Sequence, residues 1–267
     1  MEAGLPQAHR ASLFDRAAAT DAAYFEMGAQ VDEVPGASLA WMPGLTALPA
    51  GAVAQRVDAA MAARGGSDWV DEIERAFDRI GAPLTRIYLG ENSPADELLR
   101  EAGYAERPEL VFTHSMSAEP ESLELRRVES DADWARKLRL HEEADRTPDG
   151  HPSAASDWVE LERRKAAHGL ETYLAILDDD VVGGIGAVRG DRILRFKNIL
   201  IHPAFRRRGL GRAMLESLAA IGRESGIFEQ AVFAVRGNAG ERLYRACGMQ
   251  VAGTLVEWSK PIGRSQR

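Results

Sequence analysis

The chain of 267 residues is long enough for one large domain or two of ordinary size, and its composition, 45% hydrophobic and 28% charged, is that of a globular protein. Its single cysteine excludes an internal disulfide framework and a cysteine-cluster metal site. The net charge of −8 is concentrated in residues 1–117, which carry 9 arginines, no lysine and 18 acidic residues. Because nucleic-acid binding requires a basic face, we expect no nucleic-acid partner.

Neither a leader nor a membrane segment is expected. The first residues lack the basic and apolar regions of a signal peptide, and the lone cysteine is compatible with a reducing compartment, so we expect a cytoplasmic protein. Residues 36–55 carry no charge, but Pro43 and Pro49 would break a membrane-spanning helix there. Buried strands and turns are the better interpretation of this stretch.

The first half of the chain alternates between predicted helices and strands. Apolar spacing and turn residues predict helices over 7–30, 52–63, 67–81 and 94–102, and strands over 37–42, 85–89 and 110–114.

The second half predicts a similar order of elements. Strands are expected over 123–128, 171–177, 181–189, 193–202, 230–235 and 251–258, the last closing the sheet. Helices are expected over 130–140, 157–168 and 212–221 and again after Asn238, with a polar loop over 141–156. Ser130 or Asp131 is expected to cap the first of these helices, and Asn238 the last.

A repeat relates the two halves. Residues 98–103 (LLREAG) match residues 243–248 (LYRACG) at a separation of 145 residues, and at this separation the strand around Ile87 falls on the strand around Val232. The pattern predicts two tandem units, 1–117 and 121–267. Two helix ends that are similar by chance remain the alternative.

A basic loop in the second half has the features of an anion site. A strand stopped by Pro203 is followed by Arg206-Arg207-Arg208-Gly209-Leu210-Gly211 and then by a helix. Unpaired amides at a helix N-terminus attract phosphate, glycines let the backbone approach it, and arginines add charge. A tight turn with a solvated basic cluster is the alternative.

Two motifs together resemble a known family. The pattern R-x-x-G-x-G at Arg206, Gly209 and Gly211 is followed by N-x-x-x-x-L-Y-x-x-x-G beginning at Asn238. This pair resembles the acyl-CoA-binding core of the GNAT N-acetyltransferases. The resemblance implies an α/β (α+β) fold of two tandem units, each a mixed, mostly antiparallel sheet flanked by helices. It also implies acetyl-CoA as co-substrate and transfer of its acetyl group to the primary amine of a small molecule.

The resemblance assigns roles to individual residues. Tyr244 stands where relatives place the general acid that protonates the thiolate of CoA, and a phenol is protonated at neutral pH. A tyrosine of the core is the alternative. The residues implied in cofactor binding are Ile199, Leu200, Ile201, Arg206, Arg207, Arg208, Gly209, Leu210, Gly211, Arg212, Asn238 and Tyr244.

The general base is not assigned by the resemblance. Many relatives carry a glutamate where this chain has Lys197. Glu142, Glu143 and Asp145, in the predicted polar loop, are tentative candidates for proton transfer or for steering the amine, against the alternative of solvated acids. The weaker candidates are His141 and His202; the histidine spacing predicts no metal, and Cys247 is expected to be a small buried side chain.

The first unit lacks both motifs, since Leu99 replaces Tyr244 and a helix-like run over 56–66 replaces the arginine loop. We therefore expect a degenerate copy with a structural or substrate-shaping role. Two other functions stay open, a non-catalytic acyl-CoA-binding or sensing module and an acetyltransferase acting on protein N-termini or lysines. The chain is expected to be a monomer or a homodimer.

Overall fold

The computed structural model describes residues 12–115, 123–144 and 155–263. Within these ranges, eleven strands form one mixed sheet with helices on both of its faces. The elements of the first half are α1 (Leu13–Glu26), β1 (Gln30–Val34), β2 (Ala37–Trp41), β3 (Ala52–Gln55), α2 (Ala59–Arg79), β4 (Leu84–Gly90), α3 (Asp96–Glu101) and β5 (Ala105–Ser115). Those of the second half are β6 (Glu124–Arg127), α4 (Asp131–Ala144), α5 (Ala155–Ala166), β7 (Glu171–Leu177), β8 (Asp180–Arg189), β9 (Ile193–Ile201), α6 (Leu210–Glu224), β10 (Glu229–Val235), α7 (Ala239–Ala246) and β11 (Gln250–Pro261), with a short 3-10 helix at Pro203–Phe205.

The predicted fold class is confirmed, and the repeat is visible in the elements themselves. The strands β4 and β10 have the same length and begin 145 residues apart, as do the starts of β5 and β11. The predicted division between residues 117 and 121 falls in 116–122, outside the described residues, and stays a prediction.

The order of the strands reveals an exchange between the halves. The sheet runs β1-β2-β3-β4-β11-β5-β10-β9-β8-β7-β6. The last strand of the first half, β5, pairs antiparallel with β10, and the last strand of the second half, β11, pairs antiparallel with β4 and with β5. The prediction that β11 closes the sheet of its own half is therefore wrong, because each final strand lies beside the other half.

Two predicted elements need correction, and one strand was not predicted. Residues 52–63 form the strand β3 and then the start of α2, not a single helix; all four residues of β3 are buried, and a short buried strand shows no alternation. The strand β1 was not predicted because its residues are mostly exposed and polar. The helix α4 continues to Ala144, so the predicted loop does not begin at His141; Ala144 is buried, which favours the extra turn.

The two faces of the sheet carry different helices. On one face α1, α4 and α5 pack on the strands, with Ala17 of α1 against Val111, Ile193 and Ala231. On the other face lie α2, α3, α6 and α7, and α6 buries Met214, Leu215 and Leu218 completely. Each such side chain contributes about 1.5–3 kcal/mol to folding. None of the described helices is both long and apolar enough to cross a membrane.

Candidate active site

The site begins where two parallel strands separate. The strands β9 and β10 are paired only from Ile193 to Arg195 on the β9 side, and β9 then has a bulge at Asn198, whose φ is 52°. Beyond Arg195 the backbone groups of β9 that face β10 are not paired with it in the described sheet. Ile199, Leu200 and Ile201 therefore line an open gap, in which backbone groups that do not pair with β10 can meet a ligand. The carbonyl oxygen of Ile201 accepts from the Nε of Arg206 at 3.3 Å.

The loop after β9 turns its backbone toward this gap. His202 caps the short 3-10 helix, and its ring nitrogen accepts from the backbone N–H of Ala204 at 3.2 Å. Gly209, with φ of 80°, is in the left-handed conformation and precedes α6 directly. A Cβ at Gly211 would lie 2.9 Å from Leu243 and 3.2 Å from Ile201, so the glycine allows the helix start to lie close to α7 and β9.

These elements enclose a cavity of about 520 Å³. Its lining holds nearly all of the predicted cofactor residues: Ile199, Leu200, Ile201, Arg206, Arg207, Gly209, Leu210, Gly211, Arg212 and Tyr244. Arg208 is not among them, since its guanidinium lies over the ring of Phe205, 5.1 Å from the centroid. The N-terminus of α6 and the guanidinium groups of Arg206, Arg207 and Arg212 make this cavity suited to a phosphate-bearing ligand, and Arg212 also pairs with Glu216 at 2.7 Å.

Tyr244 connects this cavity to a second one. The smaller cavity, of about 230 Å³, lies in the gap between β9 and β10, and Tyr244 and Ile199 line both. Tyr244 is buried against Phe112, with ring centroids 5.6 Å apart, and burial raises the pKa of its phenol. Within the described part of the chain no hydrogen bond ends on the Tyr244 hydroxyl. A phenol that stays protonated between two cavities can act as a proton donor.

Asn238 caps a helix and also lines one of the two cavities. It caps α7, since its side chain accepts from the backbone N–H of Glu241 at 2.9 Å, as predicted. It lines the smaller cavity rather than the larger one.

A charged cluster closes the smaller cavity on the α1 side. Asp21 of α1 is buried and pairs with Arg195, and it lies 3.4 Å from the Nζ of Lys197. Lys197 lies over the ring of Tyr24, 4.2 Å from the centroid. Burial, followed by the charge of Arg195, lowers the pKa of Lys197 to about 8. The residue that replaces the glutamate of relatives is therefore held by a carboxylate from the other half of the chain.

The residues predicted as candidates for the base lie elsewhere. Glu142 and Glu143 are on the last turn of α4; Glu142 is exposed, and Glu143 pairs with His202. Neither lines the two cavities that share Tyr244. Asp145 is outside the described residues. Their role in proton transfer stays a prediction, but a direct one would require them to approach the gap.

Two other predicted features can be located. His141 faces the buried Glu162 at 3.7 Å, and Glu162 also pairs with Lys137 at 2.8 Å. Cys247 is half-buried, and burial raises the pKa of its thiol. In the ranges that the structure describes, no three histidine, cysteine, aspartate or glutamate side chains are grouped to hold a metal ion.

The equivalent region of the first half has a different chemistry. Leu99, on α3, is fully buried in the core of the first half, whereas Tyr244 at the equivalent position of the second half borders two cavities. The helix α2 runs through a kink at Gly66, with φ of 56° and ψ of −141°, in place of the arginine loop. A cavity of about 490 Å³ does lie beside β4, but Arg56 in its wall is paired with both oxygens of Glu26.

Two charged residues near the gap were not found from the sequence. Asp21 lies four residues after Ala17 and four before Phe25, so it interrupts the buried stripe of α1, and a carboxylate there indicates a buried partner. Glu109 of β5 lines the smaller cavity, but nothing in its local sequence predicts that β5 pairs with β10.

Comparisons with known proteins give the family that the second half resembles. The family model described as "Acetyltransferase (GNAT) family" matches residues 133–249. No curated protein matched the chain in sequence.

Several solved structures share the fold. A GCN5-related N-acetyltransferase from Kribbella flavida is 17% identical with a TM-score of 0.64, covering 94% of this chain and 96% of that one. Another from Sphaerobacter thermophilus is 21% identical with a TM-score of 0.60, covering 85% and 77%. A tandem GNAT protein from the clavulanic acid biosynthesis pathway is 14% identical with a TM-score of 0.59, covering 87% and 80%. The chain therefore has the fold of two GNAT units in tandem, and its residues 133–249 match the model of the GNAT acetyltransferase family.

Proposed function

We propose that the chain transfers the acetyl group of acetyl-CoA to the primary amine of a small molecule. The observation that carries this proposal is that Tyr244 borders both the cavity of the arginine loop and the gap between β9 and β10. One side chain thus lies between a pocket for a phosphate-bearing carrier and a pocket in which an acceptor can meet it.

The residues of the larger cavity would hold the carrier. The amides at the start of α6, with Arg206, Arg207 and Arg212, bind its pyrophosphate, and the open backbone of β9 pairs with its pantetheine arm. Binding energy from this remote part of the molecule positions the thioester for attack. The amine attacks the thioester carbonyl directly, the C–S bond breaks, and the Tyr244 hydroxyl gives its proton to the departing thiolate.

Replacing one hydroxyl tests the role of Tyr244. In Tyr244→Phe we expect kcat for amine acetylation to fall by about 100-fold, with the affinity for acetyl-CoA largely kept. Thiol release from acetyl-CoA across a panel of amines measures both chains. Tyr173→Phe is the matched control, since Tyr173 is also buried but its hydroxyl bonds to Glu171 at 2.8 Å, away from both cavities. Equal turnover by Tyr244→Phe and the unchanged chain would remove Tyr244 as the acid.

A second candidate is a module that binds acyl-CoA without transferring the acyl group. Lys197 favours it, because β9 carries an ammonium at this point and Asp21 holds it. This candidate predicts acetyl-CoA binding with no acceptor turnover, so sustained thiol release with any amine would exclude it.

A further inference from the structure

The exchanged strand brings the first half of the chain into the active site of the second. Because β5 pairs with β10, Glu109 lies opposite Val235, the last residue of β10. Val235 borders the gap that opens between β9 and β10. The first half therefore places a carboxylate at the point where the two parallel strands separate.

Glu109 and Tyr244 line the same cavity from opposite faces of the sheet. On β5, Phe112 contacts the ring of Tyr244 on the face of α6 and α7. Glu109 has the opposite parity and shares its face with Val111, which packs beneath α1. A thioester that arrives from the loop side would meet Tyr244, and an amine that arrives from the α1 side would meet Glu109.

The described neighbours of Glu109 form hydrogen bonds with only one of its two carboxylate oxygens. Its side chain is 13% exposed. Its two hydrogen bonds from described residues, from Arg107 at 3.2 Å and from the hydroxyl of Tyr88 at 3.4 Å, both end on Oε1. Oε2 is therefore left for an N–H group in the cavity.

Charged and titratable groups face Glu109 from five elements: Asp21 from α1, Tyr88 from β4, Arg107 from β5, Lys197 from β9 and Glu257 from β11. Burial, followed by Asp21, raises the pKa of Glu109, while Lys197 and Arg107 oppose the rise. Lys197 is itself paired with Asp21, and Arg107 lies closer to Glu257, at 2.7 Å. A carboxylate whose pKa is raised toward neutrality is a better proton acceptor at physiological pH.

We propose that Glu109, contributed by the degenerate half, is the group that removes a proton from the acceptor ammonium. This inference rests on the proposed acetyl transfer and completes it. The ammonium gives one proton to Glu109, and the neutral amine forms a bond to the thioester carbon. The C–S bond then breaks, the thiolate takes the proton of Tyr244, and the second amine proton returns to the Tyr244 oxygen. One proton remains on Glu109 and passes to water.

The class of acceptor follows from this role. A base that acts before the attack is needed only when the nitrogen arrives protonated, as an aliphatic primary amine does at neutral pH. The site would therefore take aliphatic ammonium acceptors, and the carboxylate would both attract the cation and deprotonate it.

The test compares two acceptors in three chains: the unchanged protein, Glu109→Gln and Glu106→Gln. Glu106 is on the same strand, is exposed, and does not line the cavity, so it is the matched control. One acceptor is an aliphatic amine; the other is an arylamine, uncharged at the assay pH. For Glu109→Gln we expect kcat/KM to fall by about 100-fold with the aliphatic amine and by less than about threefold with the arylamine. Glu106→Gln is expected to match the unchanged chain with both.

The pH profile gives a second readout. With the aliphatic amine, the unchanged chain should lose kcat/KM as the pH falls through the raised pKa of Glu109. In Glu109→Gln, kcat/KM should instead rise by about tenfold per pH unit, because it follows the concentration of the unprotonated amine. Equal losses with both acceptors, or an unaltered profile, would overturn the inference while leaving the acetyl transfer intact.

A variant that does not fold and a chain that acetylates neither acceptor are the two remaining outcomes. If Glu109→Gln does not fold, Glu109→Asp replaces it, and that chain should keep the shape of the profile at a lower rate; a flat profile would count against the base. If the unchanged chain acetylates neither acceptor while binding acetyl-CoA, the proposed function itself fails.

Discussion

At the scale of single residues, the arginines of the loop do not contribute equally. Arg206, Arg207 and Arg212 line the larger cavity, whereas Arg208 lies over Phe205. Arg207 also has a positive φ of 63°, a conformation that costs a non-glycine residue free energy and is retained here where its side chain borders the cavity.

Substituting these arginines separately measures the difference. For Arg207→Gln we expect the dissociation constant of acetyl-CoA to rise by about tenfold, because a charge-assisted hydrogen bond to phosphate contributes ~1.5 kcal/mol. Arg208→Gln is the control, with an expected change of less than about threefold. Calorimetric titration at two salt concentrations measures both, and the Arg207 effect should shrink at the higher one. If Arg208→Gln lost more affinity for acetyl-CoA than Arg207→Gln, the phosphate would lie on the other side of the loop.

The residues of the site differ in how far the sequence predicts them. The arginine loop, Asn238 and Tyr244 lie in short motifs whose spacing reflects one strand, one turn and one helix, so local reasoning is enough to locate them. Glu109 is 135 residues away from Tyr244 in the chain and reaches the same cavity only through the pairing of β5 with β10. That pairing depends on two strands from different halves, and no local pattern encodes it.

At the scale of elements, α1 is tied to the second half by a buried lysine. The Nζ of Lys165, on α5, donates to the carbonyl oxygen of Tyr24 at 2.6 Å and lies near those of Phe25 and Met27. Lys165 thus caps the C-terminus of α1, where free carbonyls need partners. Burial, followed by the charge of Lys197, lowers the pKa of Lys165 from 10.5 to about 7.

The lowered pKa makes stability depend on pH. Between pH 7 and 10.5 the unfolded chain binds a proton at Lys165 that the folded chain has largely released, so the free energy of unfolding should rise with pH in this window. In Lys165→Met this contribution to the slope should disappear, and the lost cap should cost about 1–3 kcal/mol. Lys260→Met, at a lysine one third exposed, should keep the slope. Denaturant titrations at several pH values measure all three chains; an unchanged slope in Lys165→Met would contradict the assignment.

Elements were predicted best where a long apolar run is bounded by residues that end or start an element. The strand β9 ends just before Pro203, and the helix α6 begins just after Gly209. The strand β3 is buried on both faces, and β1 is exposed and polar, so neither shows the alternation that identifies a strand. In α2, Gly65 and Gly66 looked like a helix end, but the chain kinks at Gly66 and the helix continues.

At the scale of the whole molecule, the two halves share one sheet. The exchange of β5 and β11 joins the halves by a row of antiparallel pairs across β4, β11, β5 and β10. Neither half alone contains the complete sheet. In the first half β4 pairs with β11 of the second half, and in the second half β10 pairs with β5 of the first half. The first half is therefore part of the framework of the second half.

Separating the halves tests this mutual dependence. Residues 1–120 and 121–267 expressed together as two chains should co-purify as one complex, because β5 and β11 each bury side chains against the partner half. Residues 121–267 expressed alone should aggregate or form dimers, since β10 would expose an unpaired edge. Size-exclusion chromatography of each preparation gives the answer, and a stable, monomeric 121–267 would show that the exchange is dispensable.

Although the chain has the fold of two GNAT units, we expect a single acetyl-CoA site, the cavity of the arginine loop and Tyr244. Calorimetric titration of the full chain with acetyl-CoA measures the number of sites. One molecule should bind per chain, and Arg207→Gln should weaken its binding. Two molecules per chain, or one whose affinity does not respond to Arg207→Gln, would rule out this single site.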